Sequence, residues 1–238
     1  MDILEYKLIA HRGLHSKELN IPENSIPAFE KAVAANFAIE LDVHVSLDKQ
    51  LVVFHDHNLL RMTGLDKEIE LCTLDEIKSL KLNNTKYTIP TFDEVLKIVD
   101  KKVALLIEIK NNKIASGPEI QLLKALQTYD GHYAIESFNP ISIKYFKDNA
   151  PNIARGLLTQ NEFENIKSTI KSFILKNIKP PKILLKLDFI SYKIDDLTED
   201  ICKKYKKNNM YIFGWTIANK EQYEKAKKMC DGIIFDNI

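Results

Sequence analysis

Residues 39–56 read IELDVHVSLDKQLVVFHD, and the alternation within this stretch governs how the rest of the chain is read. Ile39, Leu41, Val43 and Val45 fall on one side and Glu40, Asp42, His44 and Ser46 on the other, which is the two-residue period of a strand. Two carboxylates therefore share one face. After a polar turn at Leu47 to Gln50 the chain returns as Leu51-Val52-Val53-Phe54 and delivers His55-Asp56, so a hairpin is expected. A turn centred between Asp48 and Lys49 would set position 42 opposite position 55, with Cβ atoms roughly 4.5 to 5.5 Å apart. Acids at i and i+2 make half of a hard-cation site, because carboxylate oxygens suit magnesium or calcium. The plainer reading of the same pattern is a half-exposed strand with a solvated acidic face.

On the amino-terminal side, Tyr6 to His11 reads as a short strand ending in His11-Arg12-Gly13, where the glycine permits a sharp exit. Pro22-Glu23-Asn24-Ser25-Ile26-Pro27 offers Asn24 as an N-cap and Pro27 in the first turn of a helix that buries Phe29, Ala32, Val33 and Phe37. On the other side, residues 57–87 are irregular apart from a short helix at Leu74 to Leu80 and are expected to form an insertion over a barrel mouth. Thr91 caps a helix over Phe92 to Val99, and a strand follows at Val103 to Ile109.

Strand and helix then alternate to the end. Helices are expected at Pro118 to Thr128, Ser142 to Asp148, Asn161 to Asn177, Asp195 to Lys207 and Lys220 to Lys228. Strands are expected at His132 to Phe138, Ile153 to Thr159, Lys182 to Phe189, Met210 to Thr216 and Asp231 to Phe235. Without the return arm this counts eight strands, each but the last followed by a helix, as in a closed (β/α)8 TIM barrel of the α/β class. An open doubly wound sheet is the alternative, but no glycine-rich turn of the dinucleotide-binding kind follows the first strand. At 238 residues the chain is close to the roughly 250 typical of one such barrel, so a single domain over 1–238 is expected.

Lys and Arg total 34 against 33 Asp and Glu, a formal net charge of +1 that gives no reason to expect a nucleic-acid partner. No stretch approaches the roughly 18 apolar residues of a membrane span, and the amino terminus lacks a basic segment followed by an apolar run. A soluble, cytoplasmic protein with no stable membrane insertion is the expectation. Cys72, Cys202 and Cys230 lack paired spacing and are read as packing residues.

In barrels the carboxyl ends of the strands carry the chemistry. Collected there are His11 and Arg12, Glu40 and Asp42, His55, Glu108 and Lys110, Phe138, and Trp215. Three acids, two histidines, an arginine and a lysine fit metal-assisted cleavage of a phosphodiester. The leaving alcohol has a pKa near that of water, about 15.7, so it must be protonated as it departs, and a base must take the proton of the attacking hydroxyl. Two histidines, with unperturbed pKa of about 6.5, suit both roles. A cation, Arg12 and Lys110 would neutralise the phosphoryl oxygens. The same acids could instead be salt-bridge partners of Arg12 and Lys110 without any metal, and the two aromatics could be core.

In its motifs the chain resembles the glycerophosphodiester phosphodiesterase family over nearly its whole length. The carrying residues are His11-Arg12-Gly13, Pro22-Glu23-Asn24-Ser25, Glu40-Leu41-Asp42-Val43 and His55-Asp56 followed by Leu59, Arg61, Thr63 and Gly64. Further along come Pro90 with Glu94-Val95-Leu96, Ile107-Glu108-Ile109-Lys110, Ser137-Phe138-Asn139, Trp215-Thr216 and Asp231-Gly232-Ile233-Ile234. The resemblance implies a (β/α)8 barrel with a small insertion after its second strand. It implies one divalent cation, Ca2+ or Mg2+, held by Glu40, Asp42 and Glu108, with His11 and His55 as general acid and base. It implies Arg12 and Lys110 as phosphate contacts, Phe138 and Trp215 as apolar walls, and hydrolysis of a small glycerophosphodiester to glycerol 3-phosphate and an alcohol.

Two departures from the family pattern, the missing glycine in the turn 48–50 and Asp236-Asn237-Ile238 where aspartate-proline is common, bear on turn geometry and the closing loop. Activity on a lysophospholipid and a silent phosphate-ester-binding barrel are the competing functions. His44 is expected beyond the strand end and, like His15, His57 and His132, as an exposed turn residue. Glu23 is expected to orient the first loop, and Glu136 and Lys186 to point into the barrel.

Overall fold

The computed structural model describes residues 2–111, 117–160 and 185–236. Eight parallel strands close on one another: β1 (Leu8–Ala10), β2 (Ala38–Val45), β4 (Leu105–Ile109), β5 (Tyr133–Ser137), β6 (Ala154–Thr159), β7 (Phe189–Lys193), β8 (Tyr211–Ile217) and β9 (Gly232–Phe235). β1 completes the circle by pairing with both β2 and β9. The ninth strand, β3 (Leu51–Val53), runs antiparallel on β2. This is the expected (β/α)8 barrel. Every residue of β2 is buried, as strands covered on both faces must be.

The alternation of the strands separates two environments. Outward-facing Ile39, Leu41, Val43, Leu105, Ile107, Ile109, Ile135, Ile190 and Ile212 pack against the surrounding helices. Those helices include α1 (Ile26–Ala34), α4 (Phe92–Val99), α5 (Gly117–Leu126) and α6 (Pro140–Asn149), which contribute Phe29, Phe92, Val95, Leu122, Ile143 and Phe146. Cys202 of α7 (Glu199–Lys206) and Ala226 of α8 (Lys220–Met229) join the same core. Inside the barrel a second core of Ile9, Ala38, Leu106, Ala134, Phe189, Phe213 and Ile234 fills the lower layer, and Ile3 and Tyr6 belong to it. On β2, β4 and β5 the next inward positions toward the carboxyl end are charged: Glu40 and Asp42, Glu108, Glu136.

Thr91 caps its helix as expected, and Thr73 caps the helix that follows it, each in a reciprocal box with the glutamate three residues on. The segment between β3 and α4 carries α2 (Leu60–Thr63) and α3 (Leu74–Ser79) around its own small core of Phe54, Leu59, Met62, Ile69, Ile77 and Leu82. The three cysteines are free, with Cys72 and Cys202 buried.

Several expectations are corrected. The hairpin register is displaced by one residue: Val43 pairs with Val53, and Phe54 N–H donates to the Asp42 carbonyl at 3.0 Å, so Asp42 faces Phe54 rather than His55. The cause is a three-residue loop closed by Ser46 N–H to Gln50 O (2.9 Å), with Lys49 in the left-handed region at φ +65°. The seventh strand starts at Phe189 instead of ending there, because Lys186 at φ +48° cannot continue an extended run. Lys186 is exposed and does not point into the barrel. Ser25, not Asn24, is the N-cap of α1. His44 lies inside β2 and is fully buried. The helix expected at Asn161 to Asn177 lies outside the described residues.

The first strand exits through Arg12 at φ +54° and Gly13 at φ +78°. A Cβ on Gly13 would sit 2.8 Å from the Ala28 carbonyl carbon. Gly13→Ala is therefore expected to cost about 1–3 kcal/mol, read as a lowered midpoint in denaturant unfolding followed by circular dichroism, with an unchanged midpoint as the contrary result.

Candidate active site

One pocket at the carboxyl ends of the strands is lined by His11, Arg12, Glu40, His55, Glu108, Lys110, Glu136, Phe138 and Trp215. Carboxylate oxygens of Glu40, Asp42 and Glu108 lie within 4.8 Å of one another. Parallel pairing puts Asp42 beside Glu108 and Glu108 beside Glu136, so strand register alone concentrates the acids. All four are buried.

Two cations are set among them. The Lys110 ammonium stands 3.0 Å from Asp42 Oδ1 and 2.8 Å from Glu108 Oε1. Arg12 reaches the acids twice: its backbone N–H donates to Glu40 Oε2 at 2.9 Å, and its Nε lies 3.4 Å from Asp42 Oδ2. Asn24, in a left-handed conformation, donates from Nδ2 to Asp42 Oδ2 at 2.7 Å. That buried bond is why it is not the helix cap.

The carboxyls respond differently to this setting. Burial would raise Asp42, but Lys110, Arg12, His55 and the Asn24 hydrogen bond hold it far below the usual carboxylate range. Burial, then repulsion from Asp42 and Glu108, pushes Glu40 well up. Burial, with Asp42 adding to it against Lys110, raises Glu108 to about 7. Burial raises Glu136 to about 8, even though it accepts a hydrogen bond from Ser191 Oγ.

Each histidine is held from behind by an aspartate. His11 Nδ1 is 2.8 Å from Asp236 Oδ1, and its Nε2 lies 4.0 Å from Glu40 Oε2. His55 Nδ1 is 2.6 Å from Asp56 Oδ1. Burial first, and then Lys110 and Arg12, lower the His55 imidazole, although Asp42 and Asp56 work the other way. Arg61 binds Asp56 (Nε to Oδ2, 2.6 Å) and Glu23 (Nη2 to Oε1, 2.6 Å), and Glu23 Oε1 also accepts from Arg12 Nη1 at 2.8 Å. The chain His55–Asp56–Arg61–Glu23–Arg12 thus joins the two sides of the pocket, and Glu23 orients the first loop as expected. His15 is no exposed turn residue: its Nε2 lies 3.1 Å from Asp236 Oδ1.

Phe138 and Trp215 meet edge to face, ring centroids 5.6 Å apart. Trp215 Nε1 is buried and has no hydrogen-bond partner. Both rings line the pocket and give it an apolar wall.

Every residue read from the sequence as a site residue comes together here. Asp56 and Asp236 were not read as orienting groups, because the sequence gives no sign that position 236 meets position 11 across the barrel closure. For Asp56, adjacency to His55 was the available signal.

With all three ionised, the carboxylates of Glu40, Asp42 and Glu108 carry one negative charge more than Lys110 and Arg12 balance, and an all-oxygen donor set suits calcium or magnesium. A divalent ion would reverse the sign of the site and favour a singly charged phosphodiester. Its ligands fit.

Acid cluster, paired imidazoles and cationic clamps at the mouth of a (β/α)8 barrel are the equipment of a phosphodiester hydrolase. The glycerophosphoryl diester phosphodiesterase family matches residues 11–238. A glycerophosphodiester phosphodiesterase of Caldanaerobacter subterraneus subsp. tengcongensis is 34% identical over 97% of this chain and 93% of its own. Among solved structures, a glycerophosphodiester phosphodiesterase of Thermotoga maritima is 26% identical with a TM-score of 0.75, covering 97% of this chain and 94% of that one. An Oleispira antarctica phosphodiesterase, solved with the product sn-glycerol-3-phosphate, shares the fold at 23% identity and a TM-score of 0.81, covering 97% and 92%. The chain belongs to the glycerophosphoryl diester phosphodiesterase family.

Because Glu108 titrates at about 7 and Glu40 is also raised, a cation must displace protons to bind. Affinity for Mg2+ or Ca2+ should rise about fivefold or more between pH 6 and pH 7 and level off at higher pH. Calorimetric titration in buffers of different ionisation enthalpy checks this, and a pH-independent affinity would contradict it.

Proposed function

We propose that residues 1–238 act as one barrel-based enzyme that cleaves a small glycerophosphodiester to glycerol 3-phosphate and an alcohol, in the cytoplasm, with His11 and His55 as the acid–base pair. The observation that carries this reading is that two imidazoles, each anchored at Nδ1 by an aspartate, line one pocket with Glu40 and Glu108, whose carboxylates cluster with that of the buried Asp42. An aspartate accepting from Nδ1–H leaves Nε2 free for proton transfer. The lowered His55 imidazole favours the neutral form and hence the base, taking the proton of the attacking hydroxyl. His11, held at Nδ1 by Asp236 with Nε2 on the side of Glu40, is the partner that would deliver a proton to the departing alkoxide oxygen.

Arg12 and Lys110 are read as binding the phosphoryl oxygens, where their charges offset the charge that builds up during attack. Phe138 and Trp215 are read as the wall for the glycerol carbons. Glu40, Asp42 and Glu108 would hold one Ca2+ or Mg2+, which supplies Lewis-acid polarisation of the phosphoryl group when bound. Neither nucleic acid nor membrane enters this reading: the net charge is +1, and no helix among the described residues is long and apolar enough to cross a membrane.

His11→Ala and His55→Ala are each expected to lower kcat by about 100- to 10,000-fold without loss of the circular dichroism of the fold. Asp56→Asn and Asp236→Asn should cost less and shift the pH profile of kcat, because they act through ring orientation. Release of glycerol 3-phosphate from glycerophosphocholine should stop in the presence of a chelator and return with added Mg2+ or Ca2+. Equal release with and without chelator, or full turnover by His11→Ala, would overturn the reading.

A further inference from the structure

Beside the pocket lies a cluster that the reaction leaves unused. His44 follows Asp42 by two positions on β2 and is wholly buried. Its Nε2 is 3.2 Å from the backbone carbonyl oxygen of His55, to which it can only donate. The other ring nitrogen, Nδ1, therefore carries the lone pair, and it is buried without a hydrogen-bond partner. A bare, enclosed imidazole nitrogen with its tautomer fixed by a carbonyl is the state in which histidine binds metal.

Ligand atoms of His44, His57 and Glu70 all lie within 4.8 Å of one another. The His44 and His57 rings stand edge to face, centroids 4.9 Å apart, and His57 Nδ1 is 4.0 Å from Glu70 Oε1. The backbone supports the arrangement, since Ile69 N–H donates to the His57 carbonyl at 2.9 Å and so sets Glu70 beside His57. Two imidazoles and a carboxylate form a nitrogen-rich set of intermediate softness, which suits zinc and its neighbours and not the hard cations matched by three carboxylates.

We propose that His44, His57 and Glu70 form a second, separate metal site that takes a zinc-like divalent transition ion and pins the segment after β3 to the barrel strand β2. The ion would be structural. His57 and Glu70 belong to the segment that follows His55, and the His44 ring also holds the His55 carbonyl, so occupancy fixes the stretch of chain on which His55 stands.

Co2+ serves as the probe, because its visible bands report ligand type. With the full chain in excess Mg2+, which occupies the carboxylate trio, one equivalent of Co2+ should bind with visible absorption. The bands should disappear in His57→Ala and weaken at least tenfold in apparent affinity in Glu70→Gln, both partly exposed positions, and should persist in Glu40→Gln. Zn2+ should raise the melting temperature of the wild-type chain and of Glu40→Gln but not of His57→Ala. Absence of Co2+ binding in excess Mg2+, bands unchanged in a folded His57→Ala, or bands lost in Glu40→Gln would each overturn the proposal.

Discussion

Three carboxylates are enclosed at one end of the barrel with only two cations to balance them, and that imbalance organises the rest of the site. An isolated buried charge costs several kcal/mol even after relaxation. The chain meets this partly by pairing, with Lys110 between Asp42 and Glu108 and Arg12 against Asp42 and Glu40. It meets the remainder by raising Glu40 and Glu108, so that protons stand where a cation would otherwise be required. Arg12 is held in a left-handed backbone conformation to make its contacts, and Gly13 beside it supplies the room for that turn.

The histidines extend the same logic outward. Asp56 and Asp236 each hold a ring by its Nδ1, and so set the orientation of both imidazoles. Arg61 and Glu23 then link Asp56 to Arg12, tying the segment after β3 to the loop after β1. The barrel supplies the radial positions of the acids, and this loop network supplies the imidazoles. The two parts of the site thus answer to different constraints, strand register for one and side-chain pairing for the other.

Much of this was legible in the sequence. Alternation within residues 39–45 put Glu40 and Asp42 on one face, the repeat at Glu108 and Lys110 did the same on the neighbouring strand, and counting strand–helix units pointed to closure. What escaped depended on single backbone angles. A left-handed Lys49 shifted the hairpin by one residue, and His55 reached the pocket only because the chain leaves the ladder after Val53. Asn24 is as good a helix cap as it is a buried hydrogen-bond donor, and composition cannot separate the two uses. His44 was misread because the strand runs two residues further than its catalytic motif. Asp236 could not be paired with His11 and His15 from the sequence, since their meeting depends on closure of the first strand against the last.

The proposed reaction requires a cation held jointly by Glu40, Asp42 and Glu108. Anomalous diffraction from crystals grown with Mn2+ in place of the native ion tests it directly. A peak is expected within bonding distance of all three carboxylates, beside the pocket lined by His11 and His55. Fully occupied Mn2+ elsewhere with no peak among the three would contradict it.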